Sequence, residues 1–212
     1  MRFKMLFSAL ILFLLFPLSV FAAGNSSLKG SYTTVTGQEF KYDGKTVEVV
    51  EFMSFYCDHC YEFESAIPVI MGNFPKKIKW TIVPIYWGKG SSKPGEAYFL
   101  ARDAGKGEQM AKAIFRANFV EKRDIGDIST LESIAAKLGM PFDFSRRLRS
   151  GEKAKEAQQA LKLAEAYSIE ETPTLIIAGN IMTNPHVSGH DIEAFRTNAI
   201  TIIKSILDQA GK

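Results

Sequence analysis

Cysteine is scarce in this 212-residue chain: there are two, Cys57 and Cys60, three positions apart. One pair excludes a scaffold held by several disulfides, and it leaves a four-cysteine zinc site without its second pair. Histidine is nearly as scarce, with three residues. One of them, His59, lies between the cysteines, while His186 and His190 fall around the last turn and helix start and read as surface or capping residues. Neither sign of charge dominates. Lys and Arg number 26 against 23 Asp and Glu, a formal +3 that makes no case for nucleic-acid binding by bulk charge. The Gly/Ser/Pro stretch at residues 88–95 lacks the Gly-Lys-Ser/Thr ending of a phosphate loop and reads as a linker. No internal repeat or low-complexity tract is present. What remains, 46% hydrophobic and 23% charged, is the composition of a globular protein with a full core. The length suits one domain, or one domain with a large insertion.

The first residues are of a different kind. Arg2 and Lys4 precede an apolar run over residues 5–16 that only Ser8 interrupts. Pro17, Ser19, Ala22 and Ala23 follow, with Val20 and Ala22 placed for cleavage after Ala22. Residues 1–22 therefore read as a secretory signal peptide. The run is short for a membrane span and ends in small residues, which argues against an uncleaved anchor. No cysteine lies near the cleavage site, which excludes a lipid-anchored form. Cleavage removes two basic residues and no acidic one, leaving 24 − 23 = +1. Export also places the cysteine pair where disulfides persist.

Residues 46–55, rich in β-branched and aromatic side chains, make the best strand in the chain. A helix follows over residues 61–71, which Pro68 should kink or end in its first part. Residues 77–86 form a second strand, with pairing lost near Pro84. Strand, helix and strand in this order predict a parallel βαβ unit. Residues 96–169 read as helical throughout. Segments 96–104 and 108–120 have helical periodicity, Ser129 to Glu132 forms a capping box, and Pro141 opens a short helix. Over residues 152–167, Ala154, Ala157, Leu161 and Ala164 share one face. Strand character returns at 174–178 and 181–183 around the turn signal Gly179-Asn180, after a short early strand within 31–36 and the turn Asp43-Gly44. Ser188 and Asp191 cap a last helix whose buried stripe is Ile192, Phe195, Ala199, Ile202, Ile203 and Ile206.

A Cys-x-x-Cys where a strand hands over to a helix is a redox site more often than a structural one. A cysteine attacks as thiolate, and a helix N-terminus favours that anion at Cys57 through its free N–H groups and dipole. His59 adds a nearby donor, and a positive charge when protonated. Cys60, one turn on, is the more enclosed and can close the disulfide. The redox reading makes Cys57 the attacking and attacked sulfur and Cys60 its resolving partner. Two rivals stand beside it. An inert local disulfide would constrain the unfolded chain little, because the ring is small. A metal site built on Cys57, His59 and Cys60 has no evident fourth ligand.

The segment Phe55-Tyr56-Cys57-Asp58-His59-Cys60-Tyr61-Glu62-Phe63 resembles the active-site segment of DsbA-type thiol:disulfide oxidoreductases. The resemblance extends over nearly the whole chain after the signal peptide. It implies an α/β fold, the thioredoxin fold with an inserted all-helical subdomain. Residues 23–94 and 170–212 would form the thioredoxin-like parts and residues 95–169 the insertion. It implies that Thr172-Pro173 is the substrate-binding loop with a cis-proline opposite the active site, where an extended peptide pairs by strand addition. It implies that Glu51, six residues before Cys57 in an apolar strand, relays the proton of the second thiol, with Lys79 the nearest candidate for a partner cation. Phe55, Tyr86 and Trp87 are placed to border the site and offer apolar contact to unfolded substrates, although aromatics at strand ends are more often core.

The catalytic set implied is Cys57, Cys60, His59 and Asp58, with no metal and no cofactor beyond the redox-active disulfide. The activity implied is oxidation of reduced, unfolded exported proteins in the periplasm by a monomer that a DsbB-like membrane quinone reductase reoxidises. A disulfide reductase or isomerase of the same fold is the alternative, although the short interval after the cleavage site leaves no room for an N-terminal dimerisation domain. A non-catalytic adaptor for unfolded chains is the more distant one. One residue departs from the pattern: Asp58 stands where the family has proline. Its charge should disfavour the neighbouring thiolate. A rise of one pKa unit corresponds to about 1.4 kcal/mol, or roughly 30 mV towards a weaker oxidant.

Overall fold

The computed structural model describes residues 28–88 and 90–209, so the signal peptide read over residues 1–22 lies outside the described residues. Strands β1 (Thr33–Thr34), β2 (Val47–Met53), β3 (Ile78–Pro84), β4 (Thr174–Ile177) and β5 (Ile181–Thr183) form one sheet in the order β1-β5-β4-β2-β3. β2 pairs with β3 in parallel, as the intervening helical connection requires, and with β4 antiparallel. The burial of β2 alternates at Val47, Glu48 and Val49 and becomes continuous from Glu51 to Met53, as suits a central strand covered on both faces. Pro84 ends β3, the edge strand, where a missing N–H costs no ladder bond. The β4–β5 connection turns through Ala178 and Gly179, both at positive φ (48° and 85°), the backbone that a tight hairpin demands.

Between β2 and β3 the helix comes in two pieces, α1 (Asp58–Glu64) and α2 (Ala66–Asn73). Pro68 explains the break. Its ring excludes a bond to the carbonyl four residues back, that of Glu64, so the kink falls at Glu64–Ser65. The first piece begins at Asp58 rather than at residue 61, with Cys57 as its N-cap.

Five helices then follow: α3 (Lys93–Asp103), α4 (Gly107–Phe119), α5 (Ile128–Lys137), α6 (Phe144–Arg149) and α7 (Ala154–Ala166). α3 is buried from Pro94 to Ala101 and packs against α4, α6 and α7. Helix α8 (Ile192–Gln209) closes the chain. Two apolar clusters flank the sheet. One joins Val47, Val49, Ile78, Leu175 and Ile177 to Phe63, Ile70 and the α8 stripe Phe195, Ala199, Ile202, Ile203 and Ile206. The other joins Phe52, Val83 and Ile176 to α3–α7. The rings of Phe63 and Phe195 lie 4.6 Å apart, fastening α1 to α8.

Three local readings need correction. The stretch 88–95 is not all linker, because α3 starts at Lys93 and takes Pro94 into its first turn, where a missing N–H is harmless. The buried face of α7 is Ala157, Ala160 and Ala164; Ala154 is exposed and Leu161 is only partly buried. The caps also differ. Asp191 accepts from the N–H groups of Glu193 and Ala194, while the Ser188 hydroxyl donates to the Asn184 carbonyl and plays no part in the cap. Likewise α5 is capped by Asp127, which accepts from the Ser129 N–H at 3.2 Å, and not by Ser129. Asp127→Ala should therefore lower stability by about 1 kcal/mol, and Ser129→Ala by clearly less, in chemical denaturation at pH 7.

Candidate active site

β2 and β4 run antiparallel with Phe52 opposite Thr174, so the end of β2 and the start of β4 meet at one rim of the sheet. This brings together residues 115 positions apart: the Cys57 thiol donates to the Thr172 carbonyl at 3.2 Å. The Thr172–Pro173 peptide is cis, and Pro173 is buried. Cys57 holds the N-cap backbone (φ −98°, ψ 122°) and its sulfur accepts from the Cys60 N–H at 3.3 Å. A sulfur thus stands where Ser or Asp oxygen usually caps. Cys60 is 1% exposed and accepts weakly from the Ser54 N–H at 3.5 Å. The two cysteines are not bridged here.

The sulfurs differ in kind. Hydrogen bonding from the Cys60 side chain, then from the Thr172 side chain and the Cys60 N–H, outweighs burial and brings the Cys57 thiol down to about 6. Burial first, and then the Cys57 sulfur beside it, pushes Cys60 well above the ordinary thiol range. At neutral pH the pair is one thiolate and one thiol, with the anion on the partly exposed sulfur. Asp58 acts in the expected direction, against the Cys57 thiolate, but counts for less than burial and the hydrogen bonds. Its Oδ1 accepts from the His59 N–H at 2.8 Å in the first turn of α1, where an acid suits the dipole. Asp58 and His59 are both exposed.

Glu51 is 2% exposed. Its Oε2 accepts from the Trp80 indole N–H at 2.9 Å. Burial, opposed by that bond, drives its carboxyl up to about 7. Lys79 does not partner it. In the β2–β3 register Lys79 lies opposite Glu48, and its ammonium bonds that carboxylate at 2.8 Å on the exposed side. Successive strand residues face opposite ways, so the residue on Glu51's side is Trp80. Glu51, Cys60 and Trp80 line one cavity of about 400 Å³, with Glu64, Tyr98 and Glu108 among the other walls.

Phe55 is core rather than rim, packed 5.1 Å from the Phe115 ring, while Trp87 is exposed and Tyr86 half-buried. Sequence reasoning missed Trp80, Ser54 and Asn118, whose amide donates to the Phe55 carbonyl at 2.9 Å and ties α4 to the strand end. Strand parity applied to the paired β2 and β3 would have found Trp80. His186 and His190 sit exposed near the start of α8, their rings 4.4 Å apart. Among the described residues no group of three or more His, Cys, Asp and Glu is placed to hold a metal ion.

A family model described as a DSBA-like thioredoxin domain matches residues 48–198. The chain is 26% identical over 167 residues to the thiol:disulfide interchange protein DsbA of Bordetella parapertussis, covering 78% of each chain. It is 25% identical over 134 residues to the protein of the same name in Pseudomonas aeruginosa, covering 63% of this chain and 64% of that one. Its fold is similar to the crystal structure of Pseudomonas aeruginosa DsbA, with a TM-score of 0.72 at 21% identity over 90% of this chain and 99% of that one. It is also similar to that of the oxidoreductase DsbA from Xylella fastidiosa, with a TM-score of 0.65 at 24% identity over 84% and 94%.

Two measurements check the electrostatics. Alkylation of the reduced protein by iodoacetamide should follow one thiolate with a midpoint about 6, carried by Cys57 and lost in Cys57→Ser. Glu51 is an acid whose folded-state pKa lies above its unfolded one, so its cost is absent below about 4.5 and complete above about 7. Glu51→Gln should accordingly stabilise the fold by about 3 kcal/mol at pH 8 and by almost nothing at pH 4, in denaturant titrations at the two pH values.

Proposed function

The chain belongs to the DSBA-like thioredoxin domain family of thiol:disulfide oxidoreductases, and we propose that it introduces disulfides into exported proteins. The observation that carries this reading is the split pair: an accessible, low-pKa Cys57 facing the Thr172 carbonyl, and a buried, high-pKa Cys60 behind it. A thiol with a low pKa is the better leaving group, and a stabilised Cys57 thiolate favours the reduced enzyme, which makes the disulfide an oxidant.

The cycle balances in two exchanges. With the Cys57–Cys60 bond formed, a substrate thiolate attacks the Cys57 sulfur. A substrate–Cys57 bond forms, the Cys57–Cys60 bond breaks, and Cys60 leaves as thiolate. Glu51, protonated in part near neutral pH, gives Cys60 its proton. A second substrate thiolate then attacks the substrate's own sulfur in the mixed disulfide, and Cys57 leaves as thiolate. The substrate is oxidised by two electrons, the enzyme dithiol holds them, and no bound cofactor or metal is needed. Thr172 and Pro173 receive the extended substrate beside Cys57, by strand addition at the open start of β4. His59, exposed next to Cys57, contributes positive charge when protonated.

The signal peptide reading puts this chemistry in the periplasm, with a monomer acting on reduced, unfolded proteins and a DsbB-like membrane quinone reductase taking the electrons. The helical segment over residues 95–169 acts as an insertion between the two thioredoxin-like parts, 23–94 and 170–212.

Equilibration of the pair with glutathione tests the direction. The reduction potential should be less negative than roughly −240 mV, between a reducing thioredoxin near about −270 mV and the strongest oxidants of this chemistry near about −120 mV. A value at or below the thioredoxin figure would assign the protein to reduction instead. Cys57→Ser should abolish oxidation of a reduced, unfolded substrate, and Cys60→Ser should trap a mixed disulfide on Cys57.

A further inference from the structure

We propose that Trp80 is a positioning residue that holds Glu51 against the cavity behind Cys60, so that the Cys60 proton passes to and from solvent by way of Glu51 without a paired cation. The inference rests on the oxidoreductase reading above and concerns how its buried proton is handled.

Trp80 is placed by register. It lies opposite Val49, diagonal to Glu51 on the same face, a separation that a long aromatic side chain spans. Phe63, 6.4 Å from its ring centroid, backs it from α1. The indole N–H meets Oε2, and among the described residues this is the only hydrogen bond made to the Glu51 carboxyl. The charged and titratable groups facing the cavity with Glu51 are Cys60 and Glu64 on α1, Tyr98 on α3 and Glu108 on α4. None of these is a cation. Lys112 on α4 does not line the cavity and is engaged by two of its carboxylates, 2.7 Å from Glu108 and 3.6 Å from Glu64.

The chemistry of the indole then decides the geometry of the proton. An indole N–H can only donate, so Oε2 stays the acceptor in both protonation states. The exchangeable proton belongs on Oε1, which has no protein partner among the described residues. A lysine in place of Trp80 would bind the anion strongly and keep it ionised. A neutral donor supports the anion without trapping it, so both forms remain accessible near neutral pH. The cavity, about 400 Å³, is roomy enough for water, which would link Cys60 and Glu51 to the carboxylates of Glu64 and Glu108 on its walls.

The chain has two tryptophans, so Trp87→Phe leaves Trp80 as the sole indole emitter. In that protein the reduced-state emission of Trp80 should titrate with a midpoint about 7, and Glu51→Gln should remove the titration. The equilibrium with glutathione, measured from pH 5 to pH 9, should show a break at the same pH. Trp80→Phe should move that break upward by about one unit, because the anion loses its donor, and Glu51→Gln should erase it. Emission that is flat across this range, or a break that stays in place in Trp80→Phe, would overturn the proposal. If Trp80→Phe does not fold, the emission titration decides alone. Failure of this kind leaves Cys57-dependent substrate oxidation intact, whereas a Cys57→Ser protein that oxidises as well as the parent would sink the functional reading itself.

Discussion

The site depends on one contact: the Cys57 sulfur standing as N-cap of α1 while it faces the Thr172 carbonyl. Both halves come from the sheet. The parallel β2–β3 unit delivers the helix start at the end of the central strand, and the antiparallel β4 delivers the Thr172–Pro173 loop to the same rim. If either strand slipped by one residue, every side chain would change face and the sulfur would lose its partner. The apolar clusters on the two faces, with Val47 and Val49 against α8 and Phe52 against α3–α7, fix that register. The large cores thus serve a contact of a few ångströms at their edge.

Two sulfurs three residues apart acquire opposite chemistry because they meet different solvents. Cys57 stays partly exposed and is supported by hydrogen bonding from Cys60 and from the Thr172 side chain, so charge is tolerated there. Cys60 points into the fold, where burial disfavours the anion. Asp58 subtracts from the Cys57 side of this balance by proximity, yet it stands in the first turn of α1, where the dipole welcomes an acid. The substitution therefore weakens the thiolate while steadying the helix that presents it, and the stronger local influences on Cys57 remain hydrogen bonds rather than the charge at Asp58.

The sequence announced the features that local chemistry determines. The cysteine spacing at a strand–helix junction, the β-branched run before it, the Pro68 break and the Gly179 turn each have a cause within a few residues. Thr172-Pro173 was legible as a loop before a strand. That the loop touches Cys57 depended on the antiparallel pairing of β2 with β4, which no single segment encodes. Lys79 shows the limit most sharply. It is one residue from Trp80 and carries the charge that a buried acid would seek. Only the facing direction of β3, fixed by register, sends Lys79 to Glu48 and Trp80 to Glu51. Asp127 likewise displaced Ser129 as a cap because the chain turned two residues earlier than the capping pattern suggested.

Glu51 then poses a question of stability against use. An acid on a central strand, enclosed by Trp80, Tyr98 and Cys60, is disfavoured when charged, and an apolar residue of similar size would remove that cost. Among the described residues no cation answers it, the arrangement that would cancel the penalty most directly. The fold answers with a neutral indole donor and an open cavity. That choice leaves the carboxyl poised between its two forms instead of locked in one. A group kept in this state suits a buried sulfur that must lose and regain a proton each time its bond forms and breaks, because the neighbour that accepts the proton can also return it. The incomplete compensation of Glu51 is thus the feature on which the proposed proton exchange at Cys60 rests.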